Sequence, residues 1–201
     1  MSLGISPIVV KTLKGGGVGI LPTDTIYGVV GSALKRKTVE RIYSLRKRSP
    51  KKPMIILIGS VAQLKVFGIK IDRNTRAILR KLWPGKMSVI LRVKSREARV
   101  KFKYLHREMG TLAFRLPKPL WLRRLLKKTG PLVAPSANLK GKPPAETIKE
   151  AKKYLGDKVD FYVDAGPLRS RPSTLVKIVK GKVFVLRAGA DSISKIPPLA
   201  I

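Results

Sequence analysis

Val18-Gly19-Ile20-Leu21-Pro22-Thr23-Asp24-Thr25-Ile26-Tyr27-Gly28-Val29-Val30 decides how the rest of the chain is read. Two short apolar runs, Val18 to Leu21 and Ile26 to Val30, flank four turn or small polar residues. Apolar runs this short, bounded by such residues, predict two strands rather than one helix. The interruption sets hydroxyls and one carboxylate at strand ends, where α/β sheets commonly bind ligands. Taken alone, the segment reads equally well as a capped turn.

Upstream, Ser6 to Lys14 predicts a short amphipathic helix stopped by Gly15, Gly16 and Gly17. With Gly19 these glycines invite a nucleotide-binding reading. A dinucleotide fingerprint needs strand, glycines, then helix, because the helix N-terminus holds the phosphate. Here the order is reversed and no Gly-Lys-Ser/Thr follows, so they are read as a helix stop and turn. Downstream, Thr38 to Arg48 carries Val39, Ile42 and Leu45 at helical spacing, with bases on the other face. Met54 to Ile58 is an uninterrupted apolar run, as in a strand buried on both faces. Ser60 and Asn74 are predicted N-caps of two helices. Strands are predicted at Met87 to Val93 and Thr111 to Leu116, a basic helix at Pro119 to Lys128, and a helix at Ala145 to Leu155 stopped by Gly156. Thr174 to Val179, a Lys180-Gly181 turn, and Val183 to Arg187 predict a hairpin. Strands alternate with helices and then pair locally, so the expectation is one α/β domain over residues 1–201, a mixed sheet with flanking helices.

Composition narrows the function. The chain has 44 Lys plus Arg against 11 Asp plus Glu, a net charge of +33. Internal pairing can neutralise only a quarter of the bases, so the surface must meet something anionic. Hydrophobic residues make up 44%, an ordinary globular content that argues against disorder. No apolar run approaches the ~20 residues of a membrane helix, and Met1 to Val10 lacks the marks of a secretion signal, so a cytoplasmic location is expected. Without cysteine there is no disulfide, no thiolate metal site and no Cys–His nucleophile. The one histidine, His106, lies in a charged stretch with no nucleophile elbow and reads as a surface residue.

Two further segments carry candidate chemistry. Arg46-Lys47-Arg48-Ser49-Pro50-Lys51-Lys52-Pro53 packs five cations into seven residues. One or two would serve a helix C-terminus. Five, pinned by two prolines, suit phosphate oxygens better. Pro131-Leu132-Val133-Ala134-Pro135-Ser136-Ala137-Asn138 ends a short strand in a turn that offers a hydroxyl beside an amide, either of which could equally cap the backbone.

Taken together with Trp83-Pro84-Gly85, Arg115-x-Pro117, Ser173-Thr174-Leu175-Val176 and Leu186-Arg187-x-Gly189, these segments resemble the YrdC/TsaC family of threonylcarbamoyl-AMP synthases. The matches run in order from about Gly15 to Gly189 and resemble the short, single-domain type. The resemblance implies a YrdC-like twisted sheet, parallel and antiparallel, around a basic concave site. It implies ATP, L-threonine and bicarbonate or CO2 as substrates, with Mg2+ on the ATP and no metal-ligating residues. Thr25, Arg115, Ser136 and Ser173 would meet threonine and carbamate. Arg48, Lys52, Thr111, Asn138 and Arg187 would line ATP, and Arg46, Arg48, Ser136 and Asn138 would carry catalysis. Arg46 stands where the family has lysine, and Lys86 and Ser88 where Pro and Thr are usual. Asp24 and Asp164 are the acids near these segments, and each could cap a turn.

The implied partners are a threonylcarbamoyl-transferase complex and tRNA or double-stranded RNA. The rival reading is a non-catalytic RNA- or ribosome-binding protein that uses basic clusters at residues 35–52, 92–107 and 118–128. Retained hydroxyl and amide groups opposite the cations favour the enzyme.

Overall fold

The computed structural model describes residues 6–47, 49, 52–179 and 181–192. In chain order these form α1 (Pro7–Gly15), β1 (Val18–Leu21), β2 (Gly28–Ser32), α2 (Arg36–Leu45), β3 (Ile55–Leu57), a 3-10 segment (Val61–Phe67) and α3 (Arg73–Leu82). There follow β4 (Met87–Arg92), α4 (Arg96–Lys101), α5 (Lys103–His106), β5 (Thr111–Arg115), α6 (Leu120–Thr129), β6 (Leu132–Val133), α7 (Ile148–Leu155), β7 (Phe161–Tyr162), β8 (Thr174–Val179) and β9 (Lys182–Arg187). The strands make one sheet in the order β7-β1-β2-β6-β3-β5-β4-β8-β9. Pairs β1/β7, β3/β5 and β4/β8 are parallel, and the remaining neighbours are antiparallel. The mixed sheet with flanking helices is therefore as the sequence predicts.

Local chemistry sets the element ends, and several differ from expectation. The second strand begins at Gly28 rather than Ile26. The Thr23 hydroxyl accepts from the amides of Thr25 and Ile26 and donates to the Ile26 carbonyl, which folds that stretch into a loop. Helix α2 closes at Leu45, since Lys47 has turned to φ 48°; Arg48, the predicted end, lies outside the described residues. Asp72, not Asn74, caps α3, because its carboxylate accepts from the Thr75 amide at 2.7 Å. Ser60 stands at the start of the 3-10 segment without a side-chain cap bond. Thr147 caps α7, three residues later than Ala145 would have it start. The glycine cluster is the predicted helix stop, with Gly16 at φ 101° closing α1. The C-terminal hairpin forms with Val179 opposite Lys182; Lys180 of its turn lies outside the described residues.

His106 is a correction. It is 4% exposed, with Nε2 2.8 Å from the Arg99 carbonyl and Nδ1 facing the Gly110 amide. Both ring nitrogens are engaged by backbone, so it fixes the turn between α5 and β5.

The sheet has unequal faces. On one, Val18, Ile20, Val29, Ile56, Val89, Leu112, Phe114, Val133 and Val176 join residues of α2, α3 and α7 in a continuous core. On the other, α1 and α6 cover a smaller cluster built on Leu21, Val30, Leu57 and Leu132. Strand residues alternate between faces, so Leu112 and Phe114 of β5 point into the first core while Thr111, Ala113 and Arg115 point to the second face. No α1 or α6 residue lies with them. A cavity opens there.

Candidate active site

The cavity measures about 320 Å³, within the usual range for small-molecule sites. Its walls come from the β1–β2 loop (Thr23, Thr25, Ile26), the approach to β3 (Pro53 to Ile55), the turn after β6 (Ala134 to Ser136) and the entry to β8 (Pro172, Ser173). Its floor is Ile90, Thr111, Ala113 and Leu175, and Arg115 and Arg187 reach in from the ends of β5 and β9. Thr25, Thr111, Arg115, Ser136, Ser173 and Arg187 of the expected residues thus share one chamber.

Each polar wall is held from behind. The Arg115 guanidinium donates to Thr25 Oγ1 at 2.9 Å and pairs with Asp24 at 3.2 Å. Burial is the main influence drawing Arg115 below the ordinary guanidinium pKa; Arg187 acts in the same sense and Asp24 opposes it. Ser173 Oγ lies 2.8 Å from the Ser88 hydroxyl, and its carbonyl accepts from Arg187 at 2.6 Å. The chain after β9 then crosses Pro172 so closely that a Cβ on Gly189 would sit 2.2 Å from the Pro172 carbonyl oxygen. Glycine is the residue that fits there, which accounts for its place after Arg187.

Arg46 and Asn138 stand behind the wall rather than in it. Arg46 is 4% exposed and donates to the Asn138 carbonyl (3.1 Å), the Asn138 side-chain oxygen (2.6 Å) and Ser136 Oγ (3.1 Å). One planar fork thus fastens the end of α2 to the turn after β6, a task for which guanidinium geometry is better suited than a compact ammonium. Ser136 also donates to Asn138 (2.7 Å), and the turn is bridged to β2 between Gly28 and Ser136. Lys52 is not a lining residue. It is exposed, and its carbonyl accepts from Tyr43. Arg48 lies outside the described residues.

Two participants were not singled out as site residues. Asp24 is the partner of Arg115 and not merely a turn cap, and Ser88 supports Ser173 from β4. Asp24 had a sequence signal, an acid inside a candidate loop; Ser88 is placed beside Ser173 only by the parallel pairing of β4 and β8. Asp164 is a turn residue, accepting from Tyr27 and the Gly166 amide. Among the described residues no cluster of three metal-ligating side chains occurs.

A larger opening of about 590 Å³ lies between the start of α2 and α4–α5, lined by Arg36, Glu40, Lys101, Lys103, Arg107 and Glu108 among others. None of the motif residues faces it, so chemistry rather than size selects the smaller cavity.

A family model described as telomere recombination, Sua5/YciO/YrdC, matches residues 11–189. A protein of Mycobacterium leprae is 32% identical over 188 residues, 93% of this chain and 84% of its own length. The threonylcarbamoyl-AMP synthase of Pseudoalteromonas translucida is 30% identical over 180 residues, 87% of this chain and 94% of the relative. The crystal structure of Pyrococcus abyssi Sua5 complexed with L-threonine superposes with a TM-score of 0.84 at 28% identity, over 94% of this chain. The chain spans 55% of that protein's length.

Proposed function

The chain belongs to the Sua5/YciO/YrdC family, and on that premise we propose that it is an L-threonylcarbamoyladenylate synthase acting as one domain over residues 1–201. It joins L-threonine, bicarbonate or CO2 and ATP into threonylcarbamoyl-AMP and releases pyrophosphate. The product serves N6-threonylcarbamoyladenosine formation at position 37 of tRNA, through a partner transferase complex.

One observation carries the reading. A single chamber gathers hydroxyls (Thr25, Thr111, Ser136, Ser173) and guanidinium groups (Arg115, Arg187), with its nearby carboxylate, Asp24, already paired. Among the described residues that line it there is no histidine and no carboxylate to act as general base. Threonine carbamate needs none, because it is already an anion. What it needs is alignment with the α-phosphate and neutralisation of the triphosphate, that is, positioning and electrostatic stabilisation. In this reading Arg115, Thr25, Ser136 and Ser173 meet threonine and carbamate, while Thr111, Asn138, Arg187, Arg48 and Lys52 serve the nucleotide. Arg46 keeps Ser136 and Asn138 in place. Magnesium, carried on ATP, supplies charge neutralisation at the phosphates.

The bases outside the chamber exceed what one triphosphate can neutralise, and we assign them to tRNA or double-stranded RNA, with affinity falling steeply as salt rises. No described helix is long and apolar enough to cross a membrane; the cytoplasmic site of action is part of the same proposal.

The test is pyrophosphate release measured with threonine, bicarbonate and magnesium added separately and together. Release that needs all three supports the synthase. Release indifferent to threonine overturns it in favour of the RNA-binding reading. Arg48→Ala and Asn138→Ala should abolish turnover and leave RNA binding nearly intact.

A further inference from the structure

Asp24 and Arg115 form a buried ion pair with side chains only 4% and 5% exposed. Such pairs are costly to desolvate and are poor devices for stability alone. The surroundings say what this one does. Arg115 carries five N–H donors in a plane. One terminal nitrogen is directed at Thr25 Oγ1, the other faces Asp24, and Nε is buried without a hydrogen-bond partner. Asp24 is itself fixed: its second oxygen accepts from the Lys118 amide at 3.2 Å, beyond the end of β5. Thr25 is fixed as well, its hydroxyl 3.0 Å from that of Thr23. The carboxylate is thus anchored to the backbone through one oxygen, while the other faces the guanidinium as an ion pair at 3.2 Å and makes no hydrogen bond, so it acts on Arg115 through charge. Arg187, the other guanidinium of the chamber, repels Arg115. Without a fixed anion behind it, Arg115 would be a buried cation next to a second cation, with no single favoured direction.

We propose that Asp24 is a positioning residue that holds the Arg115 guanidinium, and through it the Thr25 hydroxyl, in the orientation that receives the carboxylate of the amino-acid substrate. The assignment rests on the synthase reading for the identity of that substrate. Asp24 faces Arg115 from behind the chamber wall and does not line the chamber itself, so it acts through Arg115.

The test separates this role from a general structural one. Asp24→Asn keeps the acceptor for the Lys118 amide and removes the charge. It should raise the KM for threonine about tenfold or more, leave the KM for ATP within about threefold, and weaken L-threonine binding measured by calorimetry in the same proportion. Asp24→Glu, which keeps the charge but moves it by one methylene, should show the same selective loss and serves if the asparagine variant folds poorly. In an Arg115→Lys background, Asp24→Asn should add little further loss, since its effect passes through the guanidinium. Equal losses for threonine and ATP, additive losses in the double variant, or no change in threonine binding would each overturn the proposal. A wild-type chain that binds threonine but releases no pyrophosphate would instead overturn the synthase reading, and the binding comparison would still decide the role of Asp24.

Discussion

The second face of the sheet is two regions built on the same strand period. Over β1, β2, β3 and β6 it presents Leu21, Val30, Leu57 and Leu132, closed by Leu122, Leu125 and Leu126 of α6 and Val9 and Leu13 of α1. Over β5, β4 and β8 it presents Thr111, Ala113, Arg115, Ile90 and Leu175, and no residue of a described helix lines the cavity above them. The alternation of side chains is identical in the two halves, and the cover differs. A covered half rewards large, branched apolar residues, because close packing stabilises it. An open half can carry small and polar residues, because water or a ligand meets them. The sheet is therefore a scaffold at one end and a binding floor at the other.

Substitutions can break this contrast in order of severity. Arg46→Ala removes the fork that fastens Ser136 and Asn138, and kcat/KM should fall about 10³-fold, read by pyrophosphate release. If activity survives, the open half does not depend on support from behind. In the covered half, Leu126→Ala should cost about 3 kcal/mol in denaturant unfolding while turnover per folded molecule stays near wild type. Ala113→Val inverts that pattern. It should change stability by less than ~1 kcal/mol and raise the KM for ATP about tenfold, because it fills floor space rather than core.

The smallest expected effect lies at the β7 edge, far along the sheet order from the open half. Asp160 accepts from the Val18 amide (2.7 Å) and from Arg41 (2.8 Å). Asp160→Asn should cost about 1 kcal/mol at neutral pH and leave catalysis unchanged. Arg41, the leading cause, holds the Asp160 carboxyl below its ordinary pKa. The unfolded state then binds the proton more readily, so this contribution is full above the ordinary carboxylate range and disappears as pH falls through the folded value. The gap between wild-type and variant unfolding midpoints should close in acid.

How much of this was legible in the sequence depends on range. Val18 to Leu21, Met54 to Ile58 and the hairpin at Thr174 to Arg187 are local patterns, and the strands lie where those patterns put them, within a residue or two. Errors arose where one side chain redirects the backbone: the Thr23 hydroxyl turns Ile26 out of its strand, and Asp72 outcompetes Asn74 because its oxygen reaches the third helical amide. The chamber residues Thr25, Arg115, Ser136, Ser173 and Arg187 were legible as an ordered set of motifs. Of their supports, Arg46, Asn138 and Asp24 stood within those motifs, whereas Ser88 was not legible as one. Ser88 has no local signal, because its partner is 85 residues away through a parallel strand pair. His106 was misread because a charged neighbourhood in sequence says nothing about a single turn folded inward.

The walls of the chamber are drawn from residue 23 through residue 187. Its key contacts join partners 90 residues apart in Arg115–Thr25 and 92 apart in Arg46–Asn138. Long loops must close before such contacts can form. Activity is then a late witness of folding: on refolding, helical signal should return before pyrophosphate release. A chain cleaved before Ser173 would lack Ser173 and Arg187, the groups β8 and β9 bring to the wall, and would be catalytically silent however much of its sheet survived.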